Sequence, residues 1–460
     1  MHRPQLRRLL PSLTLATAFI VGGCRDLTVP DFNNPSIESL TSNPTATTIN
    51  QATQGLLVGA RSYMNSQNGY VSLLGILGRE SYNFDPADTR FITEMLIGPL
   101  DGGSPAFGGN LFSLRYRNIR LGNAVLAALG PVAGMSAAQK EAVRGFVKTI
   151  HAHDLLMVVN TRDDLGAPID VDIDPTGPPA AIASRADVYT RIVTLLDEAR
   201  THLTAGGASF PFALGPGFTG FSTPASFVTV NRALRARVDV YMGNYALALT
   251  ALNASFIDST ASLDLGTYHA FSTTSGDTDN QLFDPTARAI LAHPSIFTDA
   301  QLQVGGARDA RVGRKIMTLS TPRTVQGVTT NVAFTVYNAP SAPVPIIRNE
   351  ELILLRAEAN IGINTAPSLT AALADINVIR RRSGSLPAAG AFASQAAART
   401  ELLYNKRYSL LFEGGHRWID LRRYGQLGTL PLALPAHTRP ARFPFPEAEC
   451  LVRSPTPPGC

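Results

Sequence analysis

Residues 404–424 read YNKRYSLLFEGGHRWIDLRRY. A helix-compatible run ends in Gly414-Gly415, and a second short run begins at His416. Two glycines in sequence let a helix stop and turn, because glycine accepts backbone angles that other residues resist. Glu413 precedes Arg417, and Asp420 precedes Arg422 and Arg423. Such spacing suits bidentate arginine–carboxylate pairs that tie terminal helices to a larger body. Trp418, the single tryptophan of the chain, reads as an anchor under the turn. Its alternative reading is a platform for stacking a sugar ring, but an aromatic at helical spacing is more often core.

Outward from this block, residues 349–360 (NEELILLRAEAN) and 372–384 (ALADINVIRRRSG) precede it, and residues 442–449 (RFPFPEAE) follow. Further upstream, helical periodicity recurs over 49–64, 113–129, 136–159 with Ser136 as N-cap, and 185–203. Residues 225–255 make two helices broken at Gly243-Asn244. There Ala236, Tyr241, Gly243, Tyr245 and Ala248 follow the grammar of tetratricopeptide-type hairpins, with small residues where helices approach and an aromatic filling the next gap. Ala357, Ala359, Gly362 and Ala371, Ala372 repeat it loosely. The spacing is uneven, so the prediction is a mainly α scaffold of irregular tetratricopeptide-like helical hairpins, not a regular solenoid.

These four C-terminal segments, in this order and spacing, resemble the SusD/RagB family of outer-membrane nutrient-binding lipoproteins. Phe412 to Arg423 is the most specific part. The resemblance is strong after residue 345 and rests on architecture before it. It departs at Lys406-Arg407, where relatives often carry an acid before the arginine, and at Ser409-Leu410, where they often carry Glu-Leu. It marks Arg407, Glu413, Arg417, Trp418, Asp420, Arg422 and Arg423 as a structural signature. It implies a SusD-like fold and a non-enzymatic protein that sits on a TonB-dependent (SusC-like) outer-membrane transporter. Such a protein captures an oligosaccharide, or in some branches a peptide, and delivers it to the barrel.

The N-terminus fits that resemblance. Arg3, Arg7 and Arg8 precede an apolar run from Leu9 to Val21, too short to span a bilayer. Val21-Gly22-Gly23-Cys24 then resembles a bacterial lipobox. Residues 1–23 are expected to be a removed signal peptide, with Cys24 the lipid anchor and 24–45 a lipidated tether rich in Asn, Pro and Ser. The alternative is a soluble secreted chain. The lipoprotein reading places the protein at the cell outer membrane, facing the exterior. Residues 46–460 then form a single domain, with the helical scaffold over about 46–255 and 346–425. The chain's 40 basic and 35 acidic residues give +5, but without the three leader arginines the balance is 37 to 35. An excess that small carries no nucleic-acid signal. Of three cysteines, Cys450 and Cys460 remain, either as a bridge in an oxidising compartment or as two thiols on a tail.

Ligand recognition falls to the long polar segments 82–112 and 256–345, where loops of this length are usually functional. Aromatic faces with planar polar side chains suit sugars. The first segment and its approach offer Tyr70, Tyr82, Asn83, Phe84, Asp85, Arg90 and Phe107, and the second offers Tyr268, Phe271, Asn280 and Phe283. Any of these side chains could instead pin its own loop. Val325 to Tyr337 alternates and predicts a small β-hairpin. Without tryptophan in these loops, the balance leans to a peptide or short oligosaccharide.

No metal, nucleotide or nucleophile motif occurs. His151 and His153 point to different sides of a helix. Asp170, Asp172 and Asp174 resemble the start of a calcium loop, but Pro175 stands where such a loop needs glycine. No cofactor is therefore expected, with structural calcium the remaining alternative. A lipid-anchored hydrolase of glycans or peptides stays open, since a carboxylate pair is set by geometry and not spacing. So does an envelope scaffold without a small ligand.

Overall fold

A computed structural model describes residues 37–104, 107–174 and 176–460. Cys24, the signal peptide and the tether up to residue 36 lie outside the described residues. Helices Ala46–Arg61, Asn110–Ala128, Ala137–Arg162, Arg185–Thr204, Pro224–Met242 and Tyr245–Asn253 pack on one another in succession. Their starts follow local chemistry. Ser136 and Thr223 each close a reciprocal capping box, with Gln139 and Ser226 respectively. Gly243 ends its helix in the left-handed conformation, φ +78°.

The second half of the scaffold is Asn349–Ile363, Ala366–Arg382, Gln395–Ser409 and His416–Arg423. It joins the first where helix Tyr245–Asn253 meets Asn349–Ile363. A Cβ on Gly362 would lie 2.2 Å from the Tyr245 ring. The small residue and the aromatic of the hairpin grammar are thus one interlocking contact. Gly59 and Gly122 make similar notches, against Asn118 and His151.

Three apolar cores result: one within the first helices, one within the C-terminal helices, and one between the scaffold and the loop-rich segments. The third contains a helix, Tyr70–Leu77, that periodicity does not reveal. All eight of its residues are buried, so it has no polar face to generate an amphipathic pattern.

The loop-rich segments hold more order than their composition suggests. The eight strands are β1 (Ser81–Asn83), β2 (Ala167–Pro168), β3 (Ile182–Ala183), β4 (Gly266–His269), β5 (Ile290–Ala292), β6 (Ile316–Val325), β7 (Val328–Phe334) and β8 (Val344–Arg348). The expected hairpin is β6–β7, turned at Gln326 and Gly327, both with positive φ. It does not stand alone. It extends into a four-stranded antiparallel sheet of order β1-β5-β7-β6. β4 pairs with β8, and β2 with β3. Cys450 and Cys460 form a disulfide, Cα to Cα 5.6 Å.

Candidate functional site

The signature block is a buried polar junction. Lys406 is 3% exposed and reaches both Glu358 Oε2 and Asp420 Oδ2 at 2.7 Å. Arg423 contacts the same two carboxylates and lies 4.5 Å from the centre of the Tyr241 ring. Glu413 does not pair with Arg417, as spacing suggests. It takes a bidentate contact from Arg348, Nε–Oε2 3.0 Å and Nη2–Oε1 3.0 Å, and a third from Lys315 at 2.8 Å. Arg417 donates instead to the backbone carbonyl of Arg79 at 3.1 Å. The reason is that Glu413 sits before the Gly414-Gly415 turn and Arg417 after it, so the turn separates their directions. Arg422 likewise serves backbone, donating to Asn160 O at 2.7 Å and Ala441 O at 2.9 Å, and it stacks on Trp418 at 4.4 Å. Arg407 reaches Asp299 at 2.9 Å.

Trp418 is fully buried, and its indole N–H donates to Pro440 O at 2.9 Å. A sugar platform is thereby ruled out for it, and the anchor reading holds. The departures at Lys406 and Ser409 are part of the same junction: the Ser409 hydroxyl accepts from Arg311 at 2.9 Å and donates to Glu350 at 2.6 Å.

Two clefts open between the loop-rich segments and the scaffold. The first holds about 200 Å³. The half-buried Phe334 lines it, backed by the 1% exposed Phe412 of the signature block, which stands at φ +59°; the two ring centres lie 4.2 Å apart with planes 8° from parallel. Tyr337 donates its hydroxyl to Phe412 O at 2.9 Å. Phe283 and Met317 form walls, with the amides of Gln67, Gln281 and Asn338 between them. The Gln67 side-chain oxygen is buried and meets no donor. The charged lining residues are Asp284 and Arg288. Both Asp284 oxygens are engaged by backbone N–H groups, from Ala287 at 2.9 Å and Ala289 at 3.0 Å.

The second cleft holds about 300 Å³, between helix Ala46–Arg61 and residues 213–218 and 268–277. Tyr268 and Phe271 line it, beside the Arg61–Asp277 ion pair.

The residues singled out in sequence are divided by this geometry. Tyr268, Phe271 and Phe283 line clefts. Tyr82, Asn83 and Phe84 do not; they lie on or beside β1 and are at most 2% exposed. Tyr82 stacks on Phe84 at 5.8 Å. Asn83 accepts from Asp85 N, and Asp85 from Ala87 N, so both shape the chain turn. Asn280 is wholly buried, donating to Ala342 O at 2.7 Å and accepting from Leu282 N at 3.0 Å. Arg90 is exposed but spends its guanidinium on Asp88 and on the Phe107 face, 4.5 Å away. Tyr70 is buried and meets Asn160. These side chains pin their loops, because edge strand β1 pulls the segment onto the core. The missed cleft residues are Gln67, Gln281, Arg288, Met317, Phe334, Tyr337, Asn338 and Phe412. The strand alternation over 328–337 was visible, but which face of the strands would border a cavity was not.

Asp174 accepts from Thr176 N at 2.9 Å and the Thr176 hydroxyl at 2.8 Å, a turn closed on itself. Among the described residues no three His, Cys, Asp or Glu side chains gather as a metal site. Nor is any described helix long and apolar enough to cross a membrane.

The fold and cleft define a class: a helical-hairpin scaffold carrying an aromatic-lined cleft in its loop-rich half. Residues 304–442 match the model of the SusD family. The matched span includes the signature block at 404–424. The chain's fold is shared with a SusD-like carbohydrate binding protein of Bacteroides fragilis at 14% identity, with TM-score 0.68 over 87% of this chain and 98% of that one. It is shared too with surface glycan-binding protein A of Bacteroides thetaiotaomicron in complex with laminarihexaose, at 13% identity and TM-score 0.67 over 90% and 99%. A laminarin binding SusD-like protein matches at 16% identity and TM-score 0.56 over 89% and 98%. No curated protein matches the chain in sequence.

Proposed function

We propose that the protein binds an oligosaccharide in the first cleft, without turning it over, and passes it to a TonB-dependent outer-membrane barrel while anchored by lipid at Cys24 on the outer face of the outer membrane. The observation that carries this reading is the lining of that cleft: the half-buried Phe334 ring backed by Phe412, with the amide side chains of Gln67, Gln281 and Asn338. Flat apolar faces match the C–H faces of a pyranose, and amides match its hydroxyls. Aromatic rings beside amides favour a glycan over a peptide.

Glycoside hydrolysis needs two carboxyl groups across the bond, one acting as acid. The cleft lining contains one carboxylate, Asp284, and its oxygens are spent on backbone. That weighs against the hydrolase alternative. The neighbours that carry laminarin and laminarihexaose in their names lend the glycan reading support.

The test is calorimetry of the purified mature chain against a panel of glycans and peptides, with chromatography of the mixtures afterwards. Saturable binding of an oligosaccharide without product is expected, and Phe283→Ala should weaken it. Release of shortened products would overturn the reading. The anchor and the partner are tested by radiolabelled palmitate incorporation, lost in Cys24→Ser, and by co-purification with a barrel protein.

A further inference from the structure

We infer that the first cleft selects a carboxylate-bearing oligosaccharide, a uronic-acid chain, and that Arg288 is the residue that reads the acid. This rests on the reading of the cleft as a glycan site.

Arg288 has three features that no other cleft residue combines. Its guanidinium is the cleft's cationic group, and among the described residues no carboxylate pairs with it. Asp284, the acid of the lining, is turned into its own loop, where two backbone N–H groups hold its oxygens. Second, its backbone stands at φ +46°. A residue other than glycine is held in that region only when its surroundings impose it, and such positions gather at functional sites. Third, the side chain is oriented. Its Nε donates to Pro285 O at 3.0 Å, which sets the plane of the guanidinium and leaves the two terminal nitrogens as a fork without an acceptor among the described residues.

The turn that carries Arg288 is rigid. Arg323 donates to Ala287 O at 2.9 Å and Arg288 O at 2.7 Å. Phe84 N donates to Ala289 O at 2.7 Å, so the turn is sewn to the approach of β1 and leads straight into β5. In the second cleft, by contrast, the Arg61 guanidinium is met by Asp277. A planar fork held open in a half-enclosed cleft matches a carboxylate, which accepts two parallel N–H bonds. The ligand that completes it has a ring for the Phe334 face, hydroxyls for Gln67 and its fellow amides, and a carboxylate within reach of the fork.

The experiment uses the purified mature chain and oligouronates of galacturonic, glucuronic and mannuronic acid, each beside its methyl ester. Esterification keeps the sugar and masks the charge. At least one free acid should bind about 10-fold or more tighter than its ester, and added salt should narrow the gap. Arg288→Gln should bring the acid down to the level of the ester while leaving the melting temperature unchanged. Arg288→Lys, which keeps the charge and loses the fork, should recover only part of the gap. Equal binding of acid and ester, or an acid preference that survives Arg288→Gln, overturns the inference while the glycan reading stands. Sulfated chains that bind as tightly as uronates overturn the carboxylate assignment. Failure of every saccharide, charged or neutral, overturns the glycan reading itself, and an acidic peptide bound in their place overturns both.

Discussion

The signature junction and the first cleft share a residue border at Phe412 and Glu413, yet they treat polar groups in opposite ways. In the junction Lys406, Glu358, Asp420 and Arg423 are buried and mutually paired, and Glu413 is held by Arg348 and Lys315. In the cleft lining, among the described residues, the Gln67 side-chain oxygen has no donor and the Arg288 fork no acceptor. Burial makes an unpaired polar group costly. Closed networks therefore hold a fold together and specify it, whereas groups left open beside a cavity are candidates for what enters. The motif that carries the family likeness belongs almost wholly to the first kind, and only its Phe412 reaches the second.

The largest test of that contrast is Lys406→Met. It removes one of the two cations, Lys406 and Arg423, that face both Glu358 and Asp420, and a loss of about 3 kcal/mol in urea unfolding is expected. A loss below about 1 kcal/mol would mean that the junction is not the cooperative unit described.

Acidity separates the two kinds of carboxyl as well. Glu80, buried with one oxygen unpartnered, is pushed up to about 7, chiefly by burial. For Glu350 and Glu358 burial acts the same way, but Arg348 and Lys315 around the first, and Arg423 and Lys406 around the second, outweigh it and hold both at about 2. A raised carboxyl lends stability below its unfolded value, near 4.5, and loses it as pH climbs through about 7. Depressed carboxyls lend stability above that value and lose it as pH falls toward 2. These three groups together place the stability maximum near pH 5. Glu80→Gln should flatten the limb between pH 5 and 8 by about 2–3 kcal/mol, and thermal melts across that range would show it. An unchanged limb would assign the slope to other groups.

Cys450→Ser is expected to cost about 2 kcal/mol under oxidising conditions and to leave glycan affinity intact, since the bridge closes a tail remote from the cleft lining. Mass spectrometry of the intact chain checks the bond, and melts check its worth. Smallest in energy is Phe283→Ala, at about 1–2 kcal/mol of binding free energy, with the melting temperature moving by only a few degrees. A large stability loss with unchanged affinity would place Phe283 among the loop-pinning aromatics and reverse its assignment.

The helices were legible because their signals are local. Ser136 with Gln139, Thr223 with Ser226, and Gly243 at a helix end act within one turn of backbone, and Gly362 with Tyr245 follows a grammar of small and large residues. Tyr70–Leu77 escaped for the converse reason, being buried on all sides. The site was less legible. Tyr82, Phe84 and Asn280 have the composition of a binding loop, and only pairing of β1 with β5 and the approach of Ala342 put them inside.

The sequence by itself determined the helical scaffold, the turn at Gly414-Gly415 and the family likeness, because capping, periodicity and glycine geometry are read over a few residues. Tertiary structure alone decided that Glu413 meets Arg348, 65 positions away, and not Arg417. It also decided that Phe334, backed by Phe412, lines the cleft, while Tyr82 and Phe84 do not. Burial and charge pairing depend on which distant segments meet, and that is a property of the packed chain as a whole.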